Sequence, residues 1–342
     1  MQNPHIFTGD TTRLHAVFDK ALQGKPISIV FLGASITMGF RIEKQHQFTT
    51  AVQQYFQNEF HNEQVSCHNL SAAGLSSLHG LHLAYSELET YSPDFICLDY
   101  SVNDQKNMVC REAFEGLLVK CLSLPTVPAL ISFFVKKEIG YTCAPQMAAV
   151  CEYYGIPYVN IGSWLEADIR RGVMRWRDFS YDGCHPGPVG HGYIGGCLLH
   201  LLDTVRRTSP DSSALPDSHY LAADTSIPGH GFYKNELAFL HFLSPDWENT
   251  SECHPAPFEL DAEFHTLFIG YSVDTTEDYG KAVLSIDGNP VRCLDAYRVH
   301  EWDHPEYEIL YLPTEIKNHH LTLKMREGET DKRFHLLCLG YI

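Results

Sequence analysis

Two patterns of apolar residues alternate along the first 207 positions. Ile27–Leu32 is a β-rich apolar run, and Val65–Leu70, Asp94–Leu98, Ala129–Phe134 and, more weakly, Pro157–Ile161 repeat it. Between these runs the apolar positions take helical spacing, over Phe48–Phe60, Leu75–Thr90, Arg111–Leu122 and Ala144–Tyr154. An amphipathic stretch over 13–24 ends at Gly24, and a last helical pattern, Val189–Val205, follows the breaker Pro186-Gly187-Pro188. Strands apolar throughout are strands covered on both faces, and helices between them make the crossovers of a parallel sheet. The pattern predicts a three-layer, flavodoxin-like α/β domain over residues 1–207.

The period then changes. Residues 208–220 (TSPDSSALPDSHY) are rich in Ser, Pro and Asp and read as a linker. Beyond them, in 221–342, Lys281–Asp287 and His320–Arg326 alternate with period two. Leu321, Leu323 and Met325 fall on one face of the second run, with Thr322, Lys324 and Arg326 on the other. Asp287-Gly288-Asn289 is a hairpin signal. Phe264–Ser272, Tyr307–Leu312 and Arg333–Ile342 complete a set of short strands with no helical pattern among them. An all-β, jelly-roll-like sandwich is expected.

Charge sharpens that division. The 342 residues carry a formal charge of −17, split into −3 over residues 1–207 and −14 over 208–342. So negative a surface repels a phosphate backbone, which argues against nucleic acid as a partner. No apolar run reaches the roughly 20 residues of a membrane helix, and MQNPHIFTGDTTRLH lacks the basic and apolar regions of a signal peptide. Eleven cysteines, without a CxxC pair, point to reduced thiols and a cytoplasmic setting.

Ligands of an open parallel sheet bind at the carboxyl ends of its strands. Four polar clusters fall there or where the last helix begins. Gly33-Ala34-Ser35 follows the first strand, where a serine on a tight strand-to-helix turn exposes its hydroxyl beside a backbone N–H. A helix cap is the alternative for Ser35. Ser71-Ala72-Ala73-Gly74 follows the second strand, and Tyr100-Ser101-Val102-Asn103-Asp104 the third. Gly74 lets a backbone N–H approach a ligand, and the Asn103 amide can donate to a developing oxyanion; each segment alone is also an ordinary turn. In Asp182-Gly183-Cys184-His185, a carboxylate three residues before a histidine can hold its Nδ1–H while Nε2 faces a serine.

In this order, Ser35, Gly74, Asn103 and His185 resemble the SGNH (GDSL-type) hydrolase superfamily over roughly residues 10–207. The resemblance implies Ser35 as nucleophile, His185 as general base and then general acid, and Asp182 as the group that orients it. It also implies an oxyanion hole made by the N–H groups of Ser35 and Gly74 with the Asn103 side chain, and no metal or organic cofactor. The family's usual Asp before the serine is Ala34 here.

Other residues carry weaker signals. Cys184 adjoins His185, but neighbours in an extended segment point apart. His191 has no third ligand at metal spacing and reads as a helix-surface histidine. Asp104 reads as a sheet-end cap or a support for its neighbours. Arg170, Arg171, Arg175 and Arg177 form the one basic patch, either a solvated face or a contact for an anionic group. Trp164 and Trp176 read as core. The second domain resembles the modules attached to carbohydrate esterases. Trp247, Tyr279, Tyr297 and Trp302 could line a sugar platform or fill a core, and the module could equally shape the pocket rim or make a homo-oligomer. The expectation is a serine esterase acting through an acyl-enzyme on a short acyl ester, an O-acetyl group on a saccharide. Its rivals are an acyltransferase to a sugar hydroxyl and a non-catalytic glycan-binding protein.

Overall fold

The computed structural model describes residues 3–223, 236–299, 305–312 and 316–342. The chain divides into two compact units, Met1–Asn235 and Glu236–Ile342. In the first, the elements run β1 (Ile6–Phe7), α1 (Thr12–Leu22), β2 (Ile27–Gly33), α2 (Ser35–Met38), α3 (Phe48–Phe60), β3 (Val65–Ser71), α4 (Ser77–Ser86) and β4 (Phe95–Asp99). Then come α5 (Met108–Leu122), β5 (Ala129–Phe133), α6 (Ala144–Tyr153), β6 (Tyr158–Val159), α7 (Ile161–Arg170), α8 (Trp176–Phe179), α9 (Pro188–Arg206) and α10 (Tyr220–Ala223). The six strands lie in the order β1-β6-β5-β4-β2-β3. Every pairing is parallel except that of the short β1 with β6.

The continuous apolar runs are the middle of this sheet: every residue of β4 and β5 is buried, and in β2 only Ser28 is not. The edge strand β3, Val-Ser-Cys-His-Asn-Leu-Ser, buries only Val65. α1 puts Leu14, Val17, Phe18 and Ala21 into the core, the spacing of one helix face. Three sequence expectations differ in detail. The helical stretch Leu75–Thr90 breaks into α4 and a 3-10 turn over Leu88–Tyr91. The weak run at 157–161 keeps a two-residue strand, because the Asn160 side chain accepts from the Ser163 N–H at 3.0 Å and starts α7. Residues 211–221, mostly within the expected linker, hold to the first unit. Thr11 and Asp211 exchange hydrogen bonds of 2.9 Å, Ser213 donates to Asp10, Tyr153 to the Ser218 carbonyl, and Leu221 to Glu115.

In the second unit every pairing between the described strands is antiparallel. Its strands are β7 (His241–Leu243), β8 (Trp247–Asn249), β9 (Phe258–Phe264), β10 (Thr266–Ser272), β11 (Lys281–Ile286), β12 (Asn289–Asp295), β13 (Pro305–Tyr311), β14 (Lys317–Met325) and β15 (Phe334–Tyr341). One sheet runs β13-β10-β15-β7, with β8 also on β15; the other runs β12-β11-β14-β9. Leu267, Ile269 and Tyr271 of the first share a core with Leu284, Leu321 and Leu323 of the second, which makes the pair a sandwich. Asp287 and Gly288 both have positive φ, the signature of the two-residue turn their sequence predicts. The expected strand Phe264–Ser272 is β10, starting two residues later; Phe264 instead ends β9, a strand of the other sheet that the pattern did not announce.

Candidate active site

Three loops leave the carboxyl edge of the parallel sheet side by side. Gly33, the last residue of β2, pairs with Ser71 of β3 on one side and Asp99 of β4 on the other. The loop bearing Ser35 is thus flanked by those bearing Gly74 and Asn103. The turn after β2 is tight: a Cβ on Gly33 would lie 2.2 Å from Thr37 Oγ1 and 2.9 Å from the Asp99 carbonyl oxygen. Only glycine fits there. Ala34 is extended, Ser35 opens the one-turn helix α2, and Gly39 at φ +77° closes it. Ser35 is 6% exposed.

The partner of Ser35 comes 150 residues later. Residues 180–186 fold back as a small hairpin closed by a bridge between Ser180 and Pro186. Asp182 organises it: its Oδ1 accepts from the backbone N–H groups of Cys184 at 2.9 Å and His185 at 2.7 Å, and from Ser180 Oγ at 3.1 Å. Its Oδ2 lies 2.7 Å from His185 Nδ1, and His185 Nε2 lies 3.0 Å from Ser35 Oγ. Partial burial raises the Asp182 pKa, but the bonds from His185, Cys184 and Ser180 outweigh it and hold the carboxyl well below the usual range. An ionised carboxylate only accepts, so Nδ1 carries the proton and Nε2 is left to accept from the serine hydroxyl. A chain of this kind can draw a proton from Ser35 as its oxygen attacks a carbonyl. The Phe40 ring packs 4.9 Å from the imidazole, and the Arg41 guanidinium lies 4.8 Å from the centre of that phenyl ring.

The other two expected site residues sit on the flanking loops. Gly74 is at φ +80°, open to solvent, where a side chain would be strained. Asn103 is in a turn whose N–H groups, from Asn103 and Asp104, both reach the Tyr100 carbonyl. Ser35, His185 and Asp182 are therefore in direct contact, while Gly74 and Asn103 are brought to the same edge by strand order.

Around this set the structure separates several readings. His191 is not on the helix surface but 1% exposed; its ring stacks on Phe48, and Nδ1 accepts from the Phe48 N–H at 3.4 Å. It serves the first turn of α3, and burial lowers its pKa to about 4. The Cys184 thiol is raised by burial, which keeps it protonated. Two arginines of the basic patch are neutralised, Arg171 by Asp168 and Arg175 by Asp178. Trp164 and Trp176 pack against the core. In the second unit Trp247 is buried, Tyr279 is half-buried with Arg333 over its ring, and Tyr297 is half-buried beside Asp295. Trp302 lies outside the described residues. Among the described residues no three His, Cys, Asp or Glu side chains gather as a metal site, and no helix is long and apolar enough to cross a membrane.

Sequence reasoning missed Ser180, which steadies Asp182 from two residues upstream, and Asp99, a buried carboxylate at the end of β4. Burial raises Asp99 to about 7 against hydrogen bonding by Ser101. A polar residue ending a fully apolar strand was the available signal.

No family model matches the chain, and no curated protein sequence matches it. Solved structures do. A two-domain esterase active on acetylated mannans is 20% identical with a TM-score of 0.75, covering 97% of this chain and 95% of that one. The same kind of esterase co-crystallised with mannopentaose is 22% identical with a TM-score of 0.76 over the same shares. The α/β unit and the β-sandwich of this chain thus have the fold of that two-domain esterase.

Proposed function

We propose that the protein is a serine esterase of the SGNH type that removes short acyl groups, O-acetyl above all, from a saccharide. The observation that carries this reading is the chain of contacts Ser35 Oγ–His185 Nε2 and His185 Nδ1–Asp182 Oδ2 at the carboxyl edge of the parallel sheet. In the proposed reaction Ser35 Oγ attacks the ester carbonyl while His185 takes its proton. The tetrahedral oxyanion rests on the N–H groups of Ser35 and Gly74 and on the Asn103 amide. His185 returns the proton to the leaving sugar oxygen, and water, activated by the same imidazole, frees Ser35 from the acyl-enzyme. Asp182 stays ionised throughout, holding the imidazole and stabilising its charged form.

The choice of an acetylated saccharide is supported by the shared two-domain fold with an esterase active on acetylated mannans. The test is direct. The protein is incubated with p-nitrophenyl acetate and with acetylated glucomannan while acetate release is followed, and a fluorophosphonate probe is mapped by peptide mass. Turnover of both substrates with label on Ser35 is expected. Absence of turnover together with an unlabelled Ser35 would sink the esterase reading. Turnover of the phenyl ester alone would remove the saccharide.

A further inference from the structure

Asp104 is a fully buried carboxylate, 0% exposed, one residue beyond Asn103, and the proposed reaction does not use it. Both of its oxygens are engaged by one residue of a different loop: Ser77 donates its backbone N–H to Oδ1 at 2.7 Å and its hydroxyl to Oδ2 at 2.7 Å. Ser77 opens α4, three residues after Gly74. The main chain of Asp104 is held as well. Its N–H reaches the Tyr100 carbonyl, and its own carbonyl accepts from Tyr141 Oη at 2.6 Å and Cys143 Sγ at 3.1 Å.

A buried carboxylate is an expensive way to start a helix. The residue at the N-cap of α4, Ser76, has a hydroxyl suited to the task, yet its side chain makes no capping bond. The donor is instead satisfied from 27 residues away, by a group whose ionised form burial disfavours. Local capping would have given the helix its start. Capping from Asp104 adds a fixed distance between the loop after β3 and the loop after β4.

We propose that Asp104 is a positioning residue that sets the Gly74 N–H and the Asn103 amide against each other, and through them the geometry of the oxyanion hole. This rests on the esterase reading above. Near the reacting centre a displacement of about 1 Å costs on the order of 100-fold in rate, and outright loss of one oxyanion donor about 100- to 1,000-fold.

The experiment compares wild type, Asp104→Asn, Ser77→Ala and Ser77→Thr on p-nitrophenyl acetate, well below each melting temperature. It also measures inhibition by phenylboronic acid, which forms a tetrahedral anion on the serine. Asp104→Asn keeps the shape but leaves one acceptor oxygen for the two donors of Ser77, so the hydroxyl must turn away, toward the Cys110 carbonyl, to accept from the new NH2. Its kcat should fall about 10- to 100-fold with KM nearly unchanged, and boronate affinity should fall in parallel. Ser77→Ala should show a smaller loss of the same kind, and Ser77→Thr, which keeps both donors, should restore it. A lower melting temperature with kcat and boronate affinity within about twofold of wild type in both Asp104→Asn and Ser77→Ala would overturn the proposal. If Asp104→Asn fails to fold, Ser77→Ala alone decides. An inactive, unlabelled wild type defeats the esterase reading itself, a result distinct from an active wild type matched by its variants.

Discussion

The two units keep their charge in opposite places. Among the described residues the α/β unit buries the carboxyl groups of Asp99, Asp104, Glu112, Glu115 and Asp168 and the imidazole of His191, whereas the β-sandwich buries no carboxyl group and one imidazole, His319. Yet the strongly acidic segment, at −14, is the one that contains the sandwich. There the charges lie on the surface in pairs such as Arg292 with Glu308, Lys281 with Asp295 and Arg333 with Glu248. Surface charge is cheap to hold and contributes little, while a buried carboxylate costs several kcal/mol unless ion pairs or hydrogen bonds offset it. Glu115 accepts from Tyr154, Tyr220 and Leu221, and Asp104 from Ser77. In this molecule total charge marks solvation, while buried carboxyl groups such as Glu115 and Asp104 tie together segments far apart in the chain.

The largest effects should come from the side chains in contact at the candidate site. Ser35→Ala and Asp182→Asn should each lower kcat by on the order of 10⁴-fold or more, with a melting temperature near wild type for Ser35→Ala and a modestly lower one for Asp182→Asn, which loses part of the bonding that closes the hairpin. Acetate release and differential scanning fluorimetry on the same samples check both halves. Asn103→Ala should follow at about 100- to 1,000-fold. Activity surviving Asp182→Asn would mean that the hairpin over 180–186, and not its carboxylate, positions His185.

Much of this could be read in the chain before its structure, because it depends on local order. Ile27–Leu32 announces a strand buried on both faces, Asp287-Gly288 a two-residue turn, and Asp182 lies within reach of His185 three positions on. What could not be read depends on distant residues. The spacing of Asp104 and Ser77, 27 residues apart, holds no period that would pair them. His191 looks like a surface residue of α9 until the first turn of α3 is packed against it. The strand β1 is two residues long, too short for any pattern, and the segment over 211–221 is polar yet held by Thr11, Asp10, Tyr153 and Glu115.

A stability comparison sharpens the contrast at intermediate size. Burial lowers His191 to about 4, so its neutral form is favoured in the folded state. The stability it contributes is fully present above the unfolded value near 6.5 and is lost as pH falls from there toward 4, about 3 kcal/mol across the window. Asp99 and Asp104, raised to about 7, act the other way: their contribution is full below about 4 and is lost as pH rises through 7. His191→Gln keeps an acceptor for the Phe48 N–H but cannot titrate. Its melting temperature should fall less than that of wild type between pH 7 and pH 5. Parallel pH profiles would show that His191 is hydrated in solution.

The smallest effect belongs to the acidic half. Arg292 and Glu308 are paired, with the arginine side chain half exposed, so solvent screens their attraction and both side chains lose rotamer freedom to meet. Arg292→Ala should shift the unfolding free energy by less than about 1 kcal/mol, and added salt should shrink the difference further. Leu323→Ala, on β14 of the same sheet and 1% exposed, should cost about 2–5 kcal/mol through lost burial and the cavity it leaves. Urea unfolding of the two variants side by side decides the matter. Were the arginine change as costly as the leucine one, the surface pairs of the sandwich would form a cooperative network, and its negative charge would belong to its architecture. With the leucine dominant, the sandwich stands on its apolar faces alone, and its surface charge is free to vary without cost to the fold.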